Sequence, residues 1–506
     1  MLSLDGHTLD LEDVVAVARG RERVRLAPSA ARRVDASRRA LEKVVAKGSL
    51  AYGIKTGFGE LANVVISDSE VRKLQLNLLR SHAVGQGEPL REDEVRASLL
   101  LRANTLAMGY SGVRPVLVTR LLDLLNRGVH PVIPSRGSLG ASGDLAPLAH
   151  LGLVLVGEGH AEYSGRISTG RTALGRAGLK PLVLQSKEGL AIINGTSVMA
   201  GVGALVVHDG LRLLKDAQVA ASTAFEALRG SPKPYEDRLV SLKPQPGARE
   251  IASNMRRLLR RSEIIPSHKG PHKVQDPYTL RCIPQVLGAC RAALDQAAAA
   301  LRIEMNAATD NPLIFPEGAS VSGGNFHGQA VAMALDHVAL AMAVIAGFSE
   351  RRIARLIDTR LSELPPFLTK KSGLNSGMMV LQYVAAGYAS DNKVLAHPAS
   401  ADSIPTSANQ EDFVPMGMAA ALKARQATEN AAHVVAIEYL AAAQGLEFLK
   451  PLQPGVGPRA AHAKIRERIP PLEEDRSLAA DVDVMREWME DGVLVAAAEN
   501  AAGRLG

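Results

Sequence analysis

The residues of this chain best suited to unusual chemistry are Ala141-Ser142-Gly143, set in the string Gly137-Ser-Leu-Gly-Ala-Ser-Gly-Asp-Leu-Ala-Pro-Leu148. If the segment is held bent, the amide nitrogen of Gly143 reaches the carbonyl carbon of Ala141, since neither residue carries bulk and glycine tolerates backbone shapes closed to other residues. Ring closure with loss of water, then loss of the Ser142 hydroxyl as a second water, leaves an exocyclic methylene on an imidazolone. That methylene is a strong electrophile. A bare Ala-Ser-Gly is far more often a glycine-rich turn feeding a helix, here one starting near Asp144. Such a helix would aim the positive end of its dipole at a group that gains electron density on attack.

Other residues could serve that electrophile. Gln275, Tyr278 and Arg281 follow at spacings of three, consistent with one face of a helical turn. Arg281 has the planar fork that grips a carboxylate with two hydrogen bonds, although a lone arginine is by default a surface ion pair. Tyr52 lies among Gly53, Gly57 and Gly59, a composition suited to a mobile lid. Its phenolate is a competent base in an electropositive setting, although a lone loop tyrosine is more often structural. His268 and His272 suggest a metal pair by spacing, but Pro266, Gly270 and Pro271 argue against a helix and no carboxylate completes a site. No metal is expected.

Helices must position these groups, because the period is helical almost throughout. Val331, Leu335, Val338, Met342 and Ile345 alternate spacings of four and three and so form one stripe. The stretches Gly203 to Leu228, Gln285 to Asn306 and Met418 to Gln444 are equally long and alanine-rich, which lets helices pack closely on several neighbours. The expected fold is mainly α, a long central helical bundle with a loop-rich N-terminal region. We divide the chain into 1–194, carrying the candidate loop, and 195–506, carrying the bundle and C-terminal helices. Strand signal is scarce: residues 161–168 read as a short hairpin turning at Ser164-Gly165.

Composition excludes several classes. The 506 residues, 46% of them hydrophobic, can bury a large core, and a net charge of +7 is modest for that length. Arg256-Arg257-Leu258-Leu259-Arg260-Arg261 is the one dense basic cluster and reads as a solvated helix face; no nucleic acid is implied. The apolar run from Val331 to Phe348 is broken by Asp336 and His337 and reads as a buried helix, not a membrane span. Two cysteines, Cys282 and Cys290, are too few for a disulfide framework, and the first residues are acidic where a signal peptide would be basic; a cytoplasmic protein is expected.

The string from Gly137 to Leu151 closely resembles the prosthetic-group loop of the aromatic amino acid ammonia-lyases, members of the fumarase/aspartase-like lyase superfamily. Further segments resemble that family in its own order: Tyr52 to Gly59, Ser81 to Gly85, Ile193 to Thr196, Val274 to Cys282, Gly323 to His327 and Thr406 to Asp412. The resemblance covers nearly the whole chain. It implies a methylidene-imidazolone formed from Ala141, Ser142 and Gly143, with no metal and no dissociable cofactor. It makes Tyr52 the base for the β-proton, Arg281 the carboxylate clamp with Tyr278 and Gln275 beside it, Asn194 a hydrogen-bond donor to the ring, and Phe326 the packing that shapes the loop. It also implies a homo-oligomer, a tetramer with shared sites. The Gly-Ser-Ser loop of fumarase-like lyases is absent.

His82 and Glu411 are the candidates for reading the substrate ring. An imidazole needs a donor and an acceptor, which a histidine with a carboxylate can supply, whereas a phenyl ring would leave them unpaired at about 1–3 kcal/mol each. Ser81-His82 and Asn409-Gln410-Glu411-Asp412 resemble the histidine branch, implying L-histidine as substrate with trans-urocanate and ammonia as products. Phe413 and Met378 depart from that branch and favour tyrosine if they line the pocket, so tyrosine or phenylalanine lyase and aminomutase are the alternatives. Lys55 also departs from the family pattern. A non-catalytic scaffold would need no intact Ser142, Tyr52 and Arg281 together.

Overall fold

The computed structural model describes residues 1–46, 66–67, 70–268 and 274–506. Two compact units emerge, each assembled from separated pieces of chain: the first from Met1–His208, Ala297–Asp336 and Pro398–Leu422, the second from Asp209–Gln296, His337–His397 and Lys423–Gly506. The division falls within four long helices, Ser197–Ala227, Ile283–Met305, Gln329–Ile357 and Gly417–Glu447. The fold is mainly α, as the periodicity requires.

All five residues of the expected stripe on Gln329–Ile357, Val331, Leu335, Val338, Met342 and Ile345, are fully buried. Each such side chain contributes about 1.5–3 kcal/mol relative to exposure. Small residues set the helix spacing. In the first unit a Cβ at Gly203 would lie 3.1 Å from Leu335, and in the second a Cβ at Gly210 would lie 2.8 Å from Leu294. Two helices, Ser197–Ala227 and Gln329–Ile357, are long and apolar enough to cross a membrane, but 78% and 61% of their apolar windows are buried inside the protein.

The first unit holds more strand than the sequence suggests. The hairpin appears as His160–Tyr163 paired antiparallel with Arg166–Thr169, turning at Ser164 and Gly165, both at positive φ, as a two-residue hairpin demands. Val129–Pro131 adds a third strand, and Gln86–Pro89 pairs with Pro134–Arg136. The helix Glu92–Ala107 is buried on nearly every face despite its charges. Arg96 explains one of them. It donates to the carbonyls of Val17 at 2.7 Å and Ala18 at 3.0 Å, which end the helix Leu11–Ala18 and lack intrahelical partners.

In the second unit half of the basic cluster departs from a solvated face, while Arg260 and Arg261 are exposed. Arg256 and Arg257 are half-buried, donating to the Tyr235 carbonyl and to Asn254 Oδ1, and Arg260 reaches the Ala502 carbonyl at 3.2 Å. They tie local elements together. Cys290 is buried, which pushes its thiol up to about 12, and Cys282 is free and half-buried.

Candidate active site

Ala141-Ser142-Gly143 ends a bent loop in the first unit, immediately before the helix Leu145–Leu155 and its N-cap Asp144. Gly143 sits at φ +75° and is bracketed by one residue, Gly195: the Gly195 amide donates to the Ser142 carbonyl at 3.1 Å, and the Asp144 amide donates to the Gly195 carbonyl at 2.7 Å. A Cβ at Gly143 would lie 2.1 Å from that carbonyl oxygen, so only glycine fits. Ala141 packs in an apolar cluster with Val414 and Met416. The Met416 amide donates to Leu139 at 2.9 Å, and the Gly328 amide, two residues after Phe326, reaches the Gly140 carbonyl at 3.4 Å. A five-membered ring closed between Ala141 and Gly143 suits this setting, since the bend is imposed from outside and no side chain fills it.

Asp144 is the knot that secures the loop. One carboxylate oxygen accepts from Ser138 Oγ at 2.9 Å, the other from the Val198 and Met199 amides at 2.8 and 2.9 Å, in the first turn of Ser197–Ala227. Burial pushes its carboxyl up to about 6, and those amide donors pull the other way. The sequence marks Asp144 only as a helix start; its tie to a second helix has no local signal.

Glu411 meets the loop from a late segment. Its Oε1 accepts the Ser142 hydroxyl at 2.9 Å and its Oε2 accepts Thr406 Oγ1 at 2.8 Å. His82, at the end of Val71–His82, lies within electrostatic reach of Glu411, and burial holds its imidazole below the ordinary histidine range. Its Nδ1 lies 2.9 Å from the Leu78 carbonyl, which can only accept, and 3.0 Å from Ser81 Oγ; a proton on Nδ1 suits both and leaves Nε2 as an acceptor.

Behind the loop lies a buried ionic network that sequence reasoning missed. Lys187 and Asp310, both fully buried, pair at 2.7 Å. The side-chain Nδ2 of Asn194 donates to the Asn311 carbonyl at 2.9 Å and approaches Asp310 at 3.4 Å, while its Oδ1 is buried without a hydrogen-bond partner among the described residues. Arg102 donates to the Asn194 carbonyl at 2.7 Å.

Phe326 is half-buried in the first unit. Gln275, Tyr278 and Arg281 belong to the second unit, and only Tyr278 and Arg281 share a helix, Tyr278–Arg281. Pro277 biases Asp276 away from the helical region, so Gln275 sits in a bend outside the expected turn. The Arg281 guanidinium stacks on the Tyr278 ring at 4.5 Å, and its Nε is buried with no partner among the described residues. Phe413 is 58% exposed and stacks on His327, centroids 6.2 Å apart, whereas Met378 is buried in the second unit. Tyr52, Lys55 and His272 lie outside the described residues.

Among the described residues Glu92, His130 and Glu162 bring possible metal-ligand atoms within 4.8 Å of one another. Arg96 stands 3.3 Å from His130 Nε2 and Arg21 pairs with Glu92 at 2.7 Å, so cations already face the atoms a metal would need. The cluster does not suit a metal ion.

Residues 9–467 match the family model described as aromatic amino acid lyase. A histidine ammonia-lyase of Alkaliphilus oremlandii is 50% identical over 501 residues, 99% of each chain. The crystal structure of histidine ammonia-lyase from Trypanosoma cruzi superposes with a TM-score of 0.92 at 38% identity, over 99% of this chain and 95% of that one. The tyrosine aminomutase of Streptomyces globisporus superposes at 0.95 with 37% identity over the whole of both chains.

Proposed function

This chain belongs to the aromatic amino acid lyase family, and from that premise we propose that it removes ammonia from L-histidine to give trans-urocanate. The observation that carries the reading is the bent Ala141-Ser142-Gly143 segment with Glu411 on its hydroxyl and His82 within reach. Full-length likeness to histidine ammonia-lyases supports the choice of substrate. The prosthetic group is a methylidene-imidazolone made from those three residues, and it supplies an electrophilic methylene. No metal or dissociable cofactor takes part in this reading.

In this reading Tyr52 takes the β-proton, and Arg281, whose Nε has no partner among the described residues, grips the substrate carboxylate with Tyr278 and Gln275. Asn194 donates to the ring and Phe326 shapes its loop. His82 and Glu411 bind the substrate imidazole, and loss of the Ser142 hydroxyl frees Glu411 Oε1 for it. In this reading residues 1–194 carry the prosthetic group and 195–506 the bundle.

The assembly is a homotetramer with sites drawn from several subunits. In support, Met333, Leu340 and Val344, spaced seven and four apart on Gln329–Ile357, are 50%, 52% and 39% exposed. Free Cys282 and Cys290 suit the reducing cytoplasm. The partner is the small-molecule substrate, and neither nucleic acid nor membrane enters the reading.

Exposed Phe413 favours a second reading, tyrosine as substrate, for a lyase or an aminomutase. Offering purified protein L-histidine, L-tyrosine and L-phenylalanine in parallel decides between them. Urocanate from histidine is expected; faster turnover of tyrosine overturns the substrate choice.

A further inference from the structure

Arg102 is a buried charge of the first unit with two nitrogens unpartnered among the described residues. It lies inside the helix Glu92–Ala107, is fully buried, and makes one hydrogen bond, from Nη1 to the Asn194 carbonyl at 2.7 Å. Its Nε and Nη2 have no hydrogen-bond partner among the described residues, and neither does the nearby hydroxyl of Thr309. The carboxylates of Asp310 and Asp144 act on it only through space, and burial lowers its pKa to about 10. A buried cation with free donors is costly to fold around unless something else is gained.

The gain lies in which carbonyl it holds. The Asn194 carbonyl and the Gly195 amide are two ends of one peptide unit, and that amide donates to the Ser142 carbonyl at 3.1 Å. Hydrogen bonds in a chain polarise one another, so a guanidinium on one end strengthens the donor at the other. The guanidinium also backs the peptide sterically: a Cβ at Gly195 would lie 2.7 Å from Arg102 Nη1 and 2.6 Å from Thr309 Oγ1. Gly195 is confined between Arg102 and Thr309 on one side and Gly143 on the other.

We propose that Arg102 is a positioning residue for prosthetic-group formation, acting through the Asn194–Gly195 peptide to hold and polarise the Ser142 carbonyl while the loop closes. In that closure the Gly143 N–H adds across the Ala141 carbonyl. The Ala141 oxygen then leaves as water with the amide hydrogens of Gly143 and Ser142, forming a C=N bond. The Ser142 hydroxyl leaves with its Cα hydrogen as a second water. Arg102 exchanges no atoms; it fixes the carbonyl that becomes the ring carbonyl. The inference rests on the prosthetic-group reading above.

The test follows the intact mass of freshly synthesised, full-length protein over time, with near-ultraviolet absorbance alongside and no substrate present. Wild type should become two waters lighter. Arg102→Met removes the charge and the donor, and folded chains isolated by size exclusion should mature about 10- to 100-fold more slowly, the loss expected for a charge-assisted hydrogen bond. Arg102→Lys, which keeps a donor but not the fork, should fall between, and it carries the test alone if Arg102→Met does not fold. Arg352→Met, which removes an equally buried guanidinium in the second unit, should leave the maturation rate of folded chains unchanged. Folded Arg102→Met or Arg102→Lys chains maturing at the wild-type rate overturn the proposal, as does equal slowing by Arg352→Met. A wild-type chain of full mass instead overturns the prosthetic-group reading itself.

Discussion

Arg102 and Arg352 are both fully buried, one in each unit, and they are held in opposite ways. Arg352 makes a bidentate pair with Glu438, at 2.5 and 2.8 Å, takes Ser349 Oγ at 3.1 Å and lies over the Phe348 ring. Arg102 has one peptide carbonyl. A charge met by an opposite charge joins helices, even with Arg352 Nη1 unpartnered among the described residues, whereas a charge spent on a peptide bond makes sense through what that peptide holds. In the second unit Arg352 and Glu438 act as framework; in the first, Arg102 sits behind the peptide that holds a bent loop.

The largest expected effect tests the first unit. Ser142→Ala leaves no hydroxyl to lose, and turnover should fall roughly 10⁴-fold or more while the protein stays folded. Retained turnover would remove the chemical reason for the bend. Arg352→Met should do the reverse, costing about 3–5 kcal/mol in chemical denaturation because Glu438 is left buried and unpaired, with turnover per folded chain preserved. If that variant instead loses activity at full stability, the contrast between the units collapses.

His82→Leu sharpens the contrast from the substrate side. It removes an acceptor, so kcat/KM for histidine should drop about 10- to 100-fold with little change in melting temperature, while phenylalanine loses little or gains. Equal harm to both substrates would mean that His82 does not read the imidazole.

A pH-dependent effect lies in the second unit's Asp216, whose carboxyl is fully buried and meets Tyr439 Oη at 3.2 Å. Burial raises it to about 8, against the hydrogen bond from Tyr439 and the fields of Arg212 and Arg486. A carboxyl raised in the folded state favours folding while protonated, and that contribution fades as pH climbs from about 4, its unfolded value, through about 8. Asp216→Asn should therefore flatten the decline in stability over that window by about 1 kcal/mol per pH unit. An unchanged slope in denaturation curves at pH 5 and pH 8 would show that Asp216 stays ionised.

Where local physics decides, the sequence already speaks. The stripe from Val331 to Ile345 follows from helical period alone, and the turn at Ser164-Gly165 from residues that accept positive φ. Glu92–Ala107 was illegible for the opposite reason. Arg96, Arg102 and Asn104 break any apolar stripe, and they are buried because acceptors 79, 92 and 201 residues away meet them. The strands Gln86–Pro89 and Pro134–Arg136 carry prolines that speak against strand and survive as a short irregular pair. In the candidate site, Ser142, His82 and Glu411 are visible as motif residues, but the Nδ1 proton of His82 is set by the Leu78 carbonyl, which no motif records.

The piecewise construction of the first unit has a consequence for biosynthesis. Ser142 leaves the ribosome long before Thr309, Asp310, Gly328, Glu411 and Met416, the residues that back, cap or contact its loop. A nascent chain halted at residue 400 lacks the carboxylate that takes the Ser142 hydroxyl and the amide that pins Leu139. On the proposed prosthetic-group reading, ring closure waits for residues beyond 400, and fragments released earlier should keep the full mass of an unclosed loop.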